Sequence, residues 1–201
     1  NRYASKPSGS INILYDNRDD FARLVLNLIK EIPIFNENVD FEKTSISNRS
    51  RKLFTLNSIY RANKSLLKST TGSDVYLKQV AIEFWTEITL RMKPWLDFLS
   101  EKPAYILRQE TIAVHDLSLQ SIAILGSYLM FQYPETWKEK LDLLEVIDWS
   151  RSNPEWNGRA LFSGRLRKSY SNVVMTANLL KTKLGIPLSP KEQEFESRVI
   201  G

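Results

Sequence analysis

Apolar side chains recur every third or fourth residue along most of this chain, and that spacing commits it to helices. Phe21, Leu24, Val25, Leu28 and Ile29 form one stripe, with acids in the first turn and Pro33 as the stop, so residues 19–31 are predicted helical. A second helix is predicted over 47–68, burying Leu53, Leu56, Ile59, Tyr60, Leu66 and Leu67. A long one follows through Val80, Phe84, Ile88, Met92 and Leu96, bent or restarted at Pro94. Helices over 110–132, from Pro134 through Trp137, Leu141 and Leu144, and over 171–184 up to Gly185 complete the body. The last begins at a capping box, with Ser189 as cap, Pro190 in the first helical position and Glu192 three residues after the cap. The linker 33–45, the connector 148–159 and residues 1–18 depart from this pattern. Within 1–18, Ile11, Ile13 and Tyr15 alternate with polar neighbours, which suits an extended piece. The reading is all-α: an irregular domain of six or seven helices over 19–201, entered through a short extended arm at 1–18.

The composition supports a core. Of 201 residues 42% are hydrophobic, including 5 Trp, 8 Tyr and 9 Phe, so folding needs no covalent or metal staple. With no cysteine, disulfides, thiolate-bound zinc, iron–sulfur clusters and thiol nucleophiles are all excluded. His115 is the single histidine; Asp116 follows it directly, and neighbours on a helix do not face each other, so no His–Asp dyad is read there. Glu83 with Glu87, and Glu192 with Glu196, share helix faces at i,i+4 and read as solvent-facing pairs. No catalytic residue, metal site or cofactor is expected from this segment, and enzymatic activity ranks behind binding. No run of 18 apolar residues would span a membrane, and the opening Asn1-Arg2-Tyr3 is not a signal peptide; a cytoplasmic fragment of a longer protein is expected.

Charge is distributed unevenly. Residues 1–70 carry 12 Lys/Arg against 7 Asp/Glu, residues 71–150 carry 7 against 12, and residues 151–201 carry 9 against 4. Within the two basic parts lie windows without any acid, 43–68 with seven basic residues and 156–190 with six. Such windows fit a polyanion. In the first, Lys43, Ser47, Asn48, Arg49, Arg51 and Lys52 gather hydroxyls, an amide and cations around the predicted helix start at 47. In the second, Arg159, Arg165, Arg167 and Lys168 precede the helix predicted from 171. Helix starts offer unpaired N–H groups and a positive dipole end, so both are expected to hold backbone phosphates of double-stranded DNA.

Several strings point the same way. Leu14-Tyr-Asp-Asn-Arg-Asp19, Phe41 through Leu56 (FEKTSISNRSRKLFTL), Trp156-Asn-Gly-Arg159, Asn172 through Asn178 (NVVMTAN) and Leu184-Gly-Ile-Pro-Leu-Ser189 resemble the C-terminal half of the DNA sulfur modification protein DndB family. The resemblance implies a DNA-binding transcriptional regulator tied to phosphorothioate modification clusters. The family's N-terminal Asp-Gly-Gln-His-Arg signature is absent here, so the resemblance further implies a C-terminal fragment. The alternative is a docking module for other proteins of the modification system, using exposed aromatics such as Trp149 or Trp156. Either reading accommodates a homo-oligomer.

Overall fold

The computed structural model describes residues 7–16 and 18–197. Among them are ten α-helices: α1 (Gly9–Tyr15), α2 (Asp20–Glu31), α3 (Leu56–Leu66), α4 (Asp74–Arg91), α5 (Lys93–Leu99), α6 (Ala104–Glu110), α7 (Asp116–Gln132), α8 (Trp137–Lys140), α9 (Tyr170–Lys183) and α10 (Pro190–Ser197). Four two-residue strands accompany them. β1 (Val39–Asp40) pairs parallel with β2 (Phe54–Thr55), and β3 (Leu161–Phe162) pairs antiparallel with β4 (Arg165–Leu166). The fold is predominantly α, as the periodicity requires.

α7 is the hub. It packs between α3 and α9, and polar ties fix the register on both sides. The buried Gln120 amide donates to the carbonyl of Ser58 on α3 at 2.9 Å, and the Ser121 hydroxyl donates to Val173 on α9 at 2.9 Å. Gly126 allows the close approach. A Cβ there would stand 2.3 Å from two ring carbons of Phe84 and 2.8 Å from Leu66. Beneath α4 and α5, Phe35, Phe54, Trp85 and Trp95 meet largely edge-on with centroids 5.5 to 6.1 Å apart, in the range aromatic pairs favour. Trp85 donates its indole N–H to the buried Asn63, and Trp95 to the carbonyl of Ala113, so neither ring is buried with an idle donor.

Four expectations need correction. The described part of the arm is helical: Ser8 accepts from the Ile11 amide and caps α1, which the alternation of Ile11, Ile13 and Tyr15 concealed. Residues 1–6 and 17 of that arm lie outside the described residues. The second helix starts at Leu56 rather than 47, because 53–55 is drawn into pairing with 38–40 and Thr55 caps the helix by accepting from Ser58. The helix expected over 110–132 starts only at Asp116, and the helix that precedes it, α6, is not among those expected and ends at Glu110. Thr111 separates the two by turning to Trp149, whose carbonyl accepts both the Thr111 hydroxyl at 2.7 Å and the Ile112 amide at 3.0 Å. Such a partner some 38 residues away leaves no mark on local periodicity. Finally, Trp149 and Trp156 are not exposed: they stack at 5.6 Å and are only 3% and 1% accessible.

Other helix ends conform to their signals. Pro94 lies in the first turn of α5, just after the break at Met92. α9 closes in a Schellman turn, with Gly185 donating to Thr182 and Ile186 to Lys181. At Ser189 the capping box is made in both directions, the Ser189 amide donating to Glu192 at 2.9 Å and the Glu192 amide to the Ser189 hydroxyl at 3.4 Å.

Candidate nucleic-acid interface

α3 turns its apolar side to α7 and leaves Arg61 and Lys64 outside, with Lys68 continuing the row just past the helix end. The spacing of three and four residues sets these cations on one face. None lies within ion-pair distance of a carboxylate among the described residues, although the Lys64 charge helps hold Asp19 low; Lys64 lies 5.5 Å from the Tyr60 ring centroid. Across a cleft of about 370 Å³ they face Lys168, Tyr170 and Val173 at the start of α9. That start is capped by Ser169, which accepts from the Asn172 amide at 3.3 Å.

The first predicted constellation is a loop, not a helix start, so no helix dipole acts there. The loop is held from several sides. Asp40 accepts the amides of Glu42 and Lys43; burial raises its pKa, but those bonds and the Lys43 ammonium at 3.6 Å outweigh this and leave it below the usual carboxylate range. Ser10 donates to the carbonyl of Lys43 at 2.9 Å, and Lys52 donates to that of Glu37 at 2.5 Å. From behind, the Arg108 guanidinium donates to the carbonyls of Ser50 and, at 2.8 Å, Lys52. Ser47, Asn48, Arg49 and Arg51 are left exposed on the outer side. Lys43 and Lys52 are partly engaged; Arg49 and Arg51 have no carboxylate partner among the described residues.

The second constellation divides. Its hairpin turns at Ser163-Gly164, both with positive φ as a two-residue I′ turn requires, and presents Arg165 outward. Arg167 sits 5.9 Å over the Phe162 ring, and Lys168 stands 3.9 Å from Asp116. Arg159 is committed elsewhere: it bonds Glu196 at 2.5 and 3.1 Å and the Glu155 carbonyl at 3.2 Å. Lys181 is likewise paired with Glu192 and lies 3.8 Å over Tyr128. Glu192 and Glu196, read from the sequence as solvent-facing, are thus counterions, and Glu83 and Glu87 both pair with Lys138.

The two windows meet. One cleft of about 290 Å³ takes Asn48 from the first and Arg165 and Lys168 from the second, over a floor of Arg108, His115 and Arg151. Lys168 lines this cleft and the one along α3, so the basic surface is continuous from Arg151 to Lys68. His115 occupies the N-cap position of α7, and its Nε2 lies 3.2 Å from the Arg108 carbonyl. Burial pushes its pKa down to about 4, helped by the nearby Arg151, Lys168 and Arg108, so the ring is neutral near pH 7. The row Arg61, Lys64, Lys68 was legible as helical spacing inside the first window. Arg108 and Arg151 gave no local signal, since each stands alone in its stretch of sequence.

Among the described residues no group of three His, Asp or Glu could hold a metal ion, and no helix is long and apolar enough to cross a membrane. A family model described as DndB, DNA-sulfur modification-associated, matches residues 1–187. No curated protein and no solved structure matches the chain.

Proposed function

Starting from the DndB, DNA-sulfur modification-associated family, to which this chain belongs, we propose that it is a regulator that binds duplex DNA and represses transcription by occupying its site. The observation that carries this reading is the convergence of two acid-free windows, separated by 87 residues of sequence, on one basic surface. Phosphate contacts dominate such binding and are largely indifferent to sequence, which suits a surface of Arg and Lys with few shaped base-reading groups. Arg61, Lys64 and Lys68 supply one wall and Lys168 the other, Arg165 lines the adjoining cleft, and Arg49, Arg51 and Arg167 extend the footprint. The cytoplasm is the compartment where such a regulator would meet its DNA.

Fluorescence anisotropy with two unrelated duplexes tests the reading. Arg61→Ala/Lys64→Ala/Lys68→Ala should weaken both alike by about tenfold or more, because these side chains meet the phosphate backbone and not the bases. The side chains are exposed, so the helical circular dichroism should be unchanged. In a run-off transcription assay the same variant should lose repression. Wild-type affinity in a folded triple variant rejects the proposed surface.

A further inference from the structure

We propose that the cleft formed by Asn48, Arg108, His115, Arg151, Arg165 and Lys168 is a binding site for a single phosphate group. Its wall charges are four cations against one carboxylate, Asp116, which Lys168 already approaches at 3.9 Å. An excess of this kind inside a cleft calls for an anion.

Arg108 carries the argument furthest. It is only 4% exposed, and among the described residues it has no carboxylate partner and its buried Nε finds no acceptor. Its other nitrogens reach only the carbonyls of Ser50 and Lys52, and burial lowers its pKa. A guanidinium removed from water without a counterion is costly, and proteins normally pair it. Arg151 repeats the pattern beside it, donating to the carbonyls of Arg108 at 3.2 Å and Gly164 at 2.8 Å and to no described carboxylate. Elsewhere in this chain partly buried cations do have carboxylates, as Arg91, Arg159 and Lys181 show. Two inner arginines without one, on the floor of the same cleft, mark it as a place for an anion.

Size and direction agree. About 290 Å³ admits a phosphate with part of an attached sugar but not a stack of bases. α7, 17 residues long, begins at this cleft, and the side chain at its N-cap position, His115, makes no capping bond, so its first amides add positive potential. A phosphate there is drawn by the buried charge of Arg108 and bonds Arg151 at the floor and Arg165, Lys168 and Asn48 at the rim. The site stands on the cleft alone and does not need the α3 row to bind duplex DNA. A phosphodiester of DNA and a terminal or free phosphomonoester share the chemistry.

The one histidine makes the test clean, because its ring C2–H resonance is unique in the proton spectrum. Inorganic phosphate titrated at constant ionic strength should shift that resonance saturably in the millimolar range, and chloride should not. Saturation should also raise the His115 titration midpoint, since an anion beside Arg108, Arg151, Arg165, Lys168 and Asp116 favours imidazolium. Arg165→Ala and Lys168→Ala, both exposed and safe for folding, should each weaken the effect by about tenfold, as expected for one charge-assisted hydrogen bond. Repeating the titration with a nucleoside 5′-monophosphate and with a dinucleoside monophosphate separates the sources: tighter monoester binding assigns a terminal or free phosphate, tighter diester binding the DNA backbone. The Arg61→Ala/Lys64→Ala/Lys68→Ala chain should keep the phosphate response even where it loses duplex binding. No saturable shift with any of the three probes, or undiminished binding in both rim variants, overturns the site.

Discussion

His115 shows how much a single side chain can report. The unfolded chain holds it near the ordinary 6.5, whereas burial and then the surrounding cations hold it near about 4 when folded. Between those values the unfolded chain takes up a proton that the folded chain refuses, so stability falls as pH drops through that window. The loss should reach roughly 2 to 3 kcal/mol at pH 4.5 relative to pH 7. His115→Asn should flatten most of that slope in urea unfolding; a wild-type chain equally stable at both pH values would contradict it. The carboxylates held low, among them Asp40 and Glu192, stabilise above the ordinary carboxylate pKa and lose this only at still lower pH, so they do not mimic the effect. At this scale residue type was legible and residue availability was not. Lys43, Lys52 and Arg159 have the right chemistry, yet Asp40, the Glu37 carbonyl and Glu196 already use them in part or whole.

Elements with their punctuation in the local sequence were read almost to the residue. α2, α9 and α10 announce themselves through caps and stops that act within one turn, at Asp19, at Ser169 with Gly185, and at Ser189 with Glu192. Elements decided by distant partners were not. The start of α3 waits on pairing between 54–55 and 39–40, and the gap between α6 and α7 on the carbonyl of Trp149, neither of which leaves a periodic trace. The candidate site inherited that error: its first basic constellation was placed at a helix start that is a loop pinned by Arg108. Two substitutions probe these elements. Gly126→Ala gains intrinsic helix propensity of about 1 kcal/mol but drives a methyl against Phe84 and Leu66. Overpacking should win, with a net loss of about 1 to 3 kcal/mol in chemical denaturation. A stabilised Gly126→Ala chain would show that α4 yields to α7. Thr55→Ala removes the cap of α3 and the 2.7 Å bond to the Ser58 hydroxyl, and should cost about 1 to 2 kcal/mol.

For the whole molecule the measurable quantity is how binding depends on salt. If the proposed surface binds duplex DNA, Arg49, Arg51, Arg61, Lys64, Lys68, Arg165, Arg167 and Lys168 make a footprint able to neutralise about 5 to 8 phosphates, each adding about 0.9 to the slope of log K against log salt. Duplex binding should therefore show a slope of roughly −5 to −7, and a measured value shallower than about −2 would remove the shared surface from consideration. Removing Arg165, Arg167 and Lys168 should flatten it by about 2 to 3, roughly one for each phosphate no longer neutralised.

The pairing of α10 with α9 sets a limit on that slope. Glu192 and Glu196 lie against Lys181 and Arg159, so these two cations arrive at any polyanion with their counterions covalently attached. A tethered carboxylate cannot diffuse away, and no mixing entropy is gained when a phosphate takes its place. Arg159 and Lys181 are thus silent in the salt dependence however near the duplex lies. Glu192→Gln/Glu196→Gln would leave Arg159, the more exposed of the two, to an exchangeable partner, and the slope should steepen by up to about one unit, while Lys181 at 3% exposed stays out of reach. The charge count of the sequence overstates the charge the surroundings can feel, because part of it is already neutralised inside the chain.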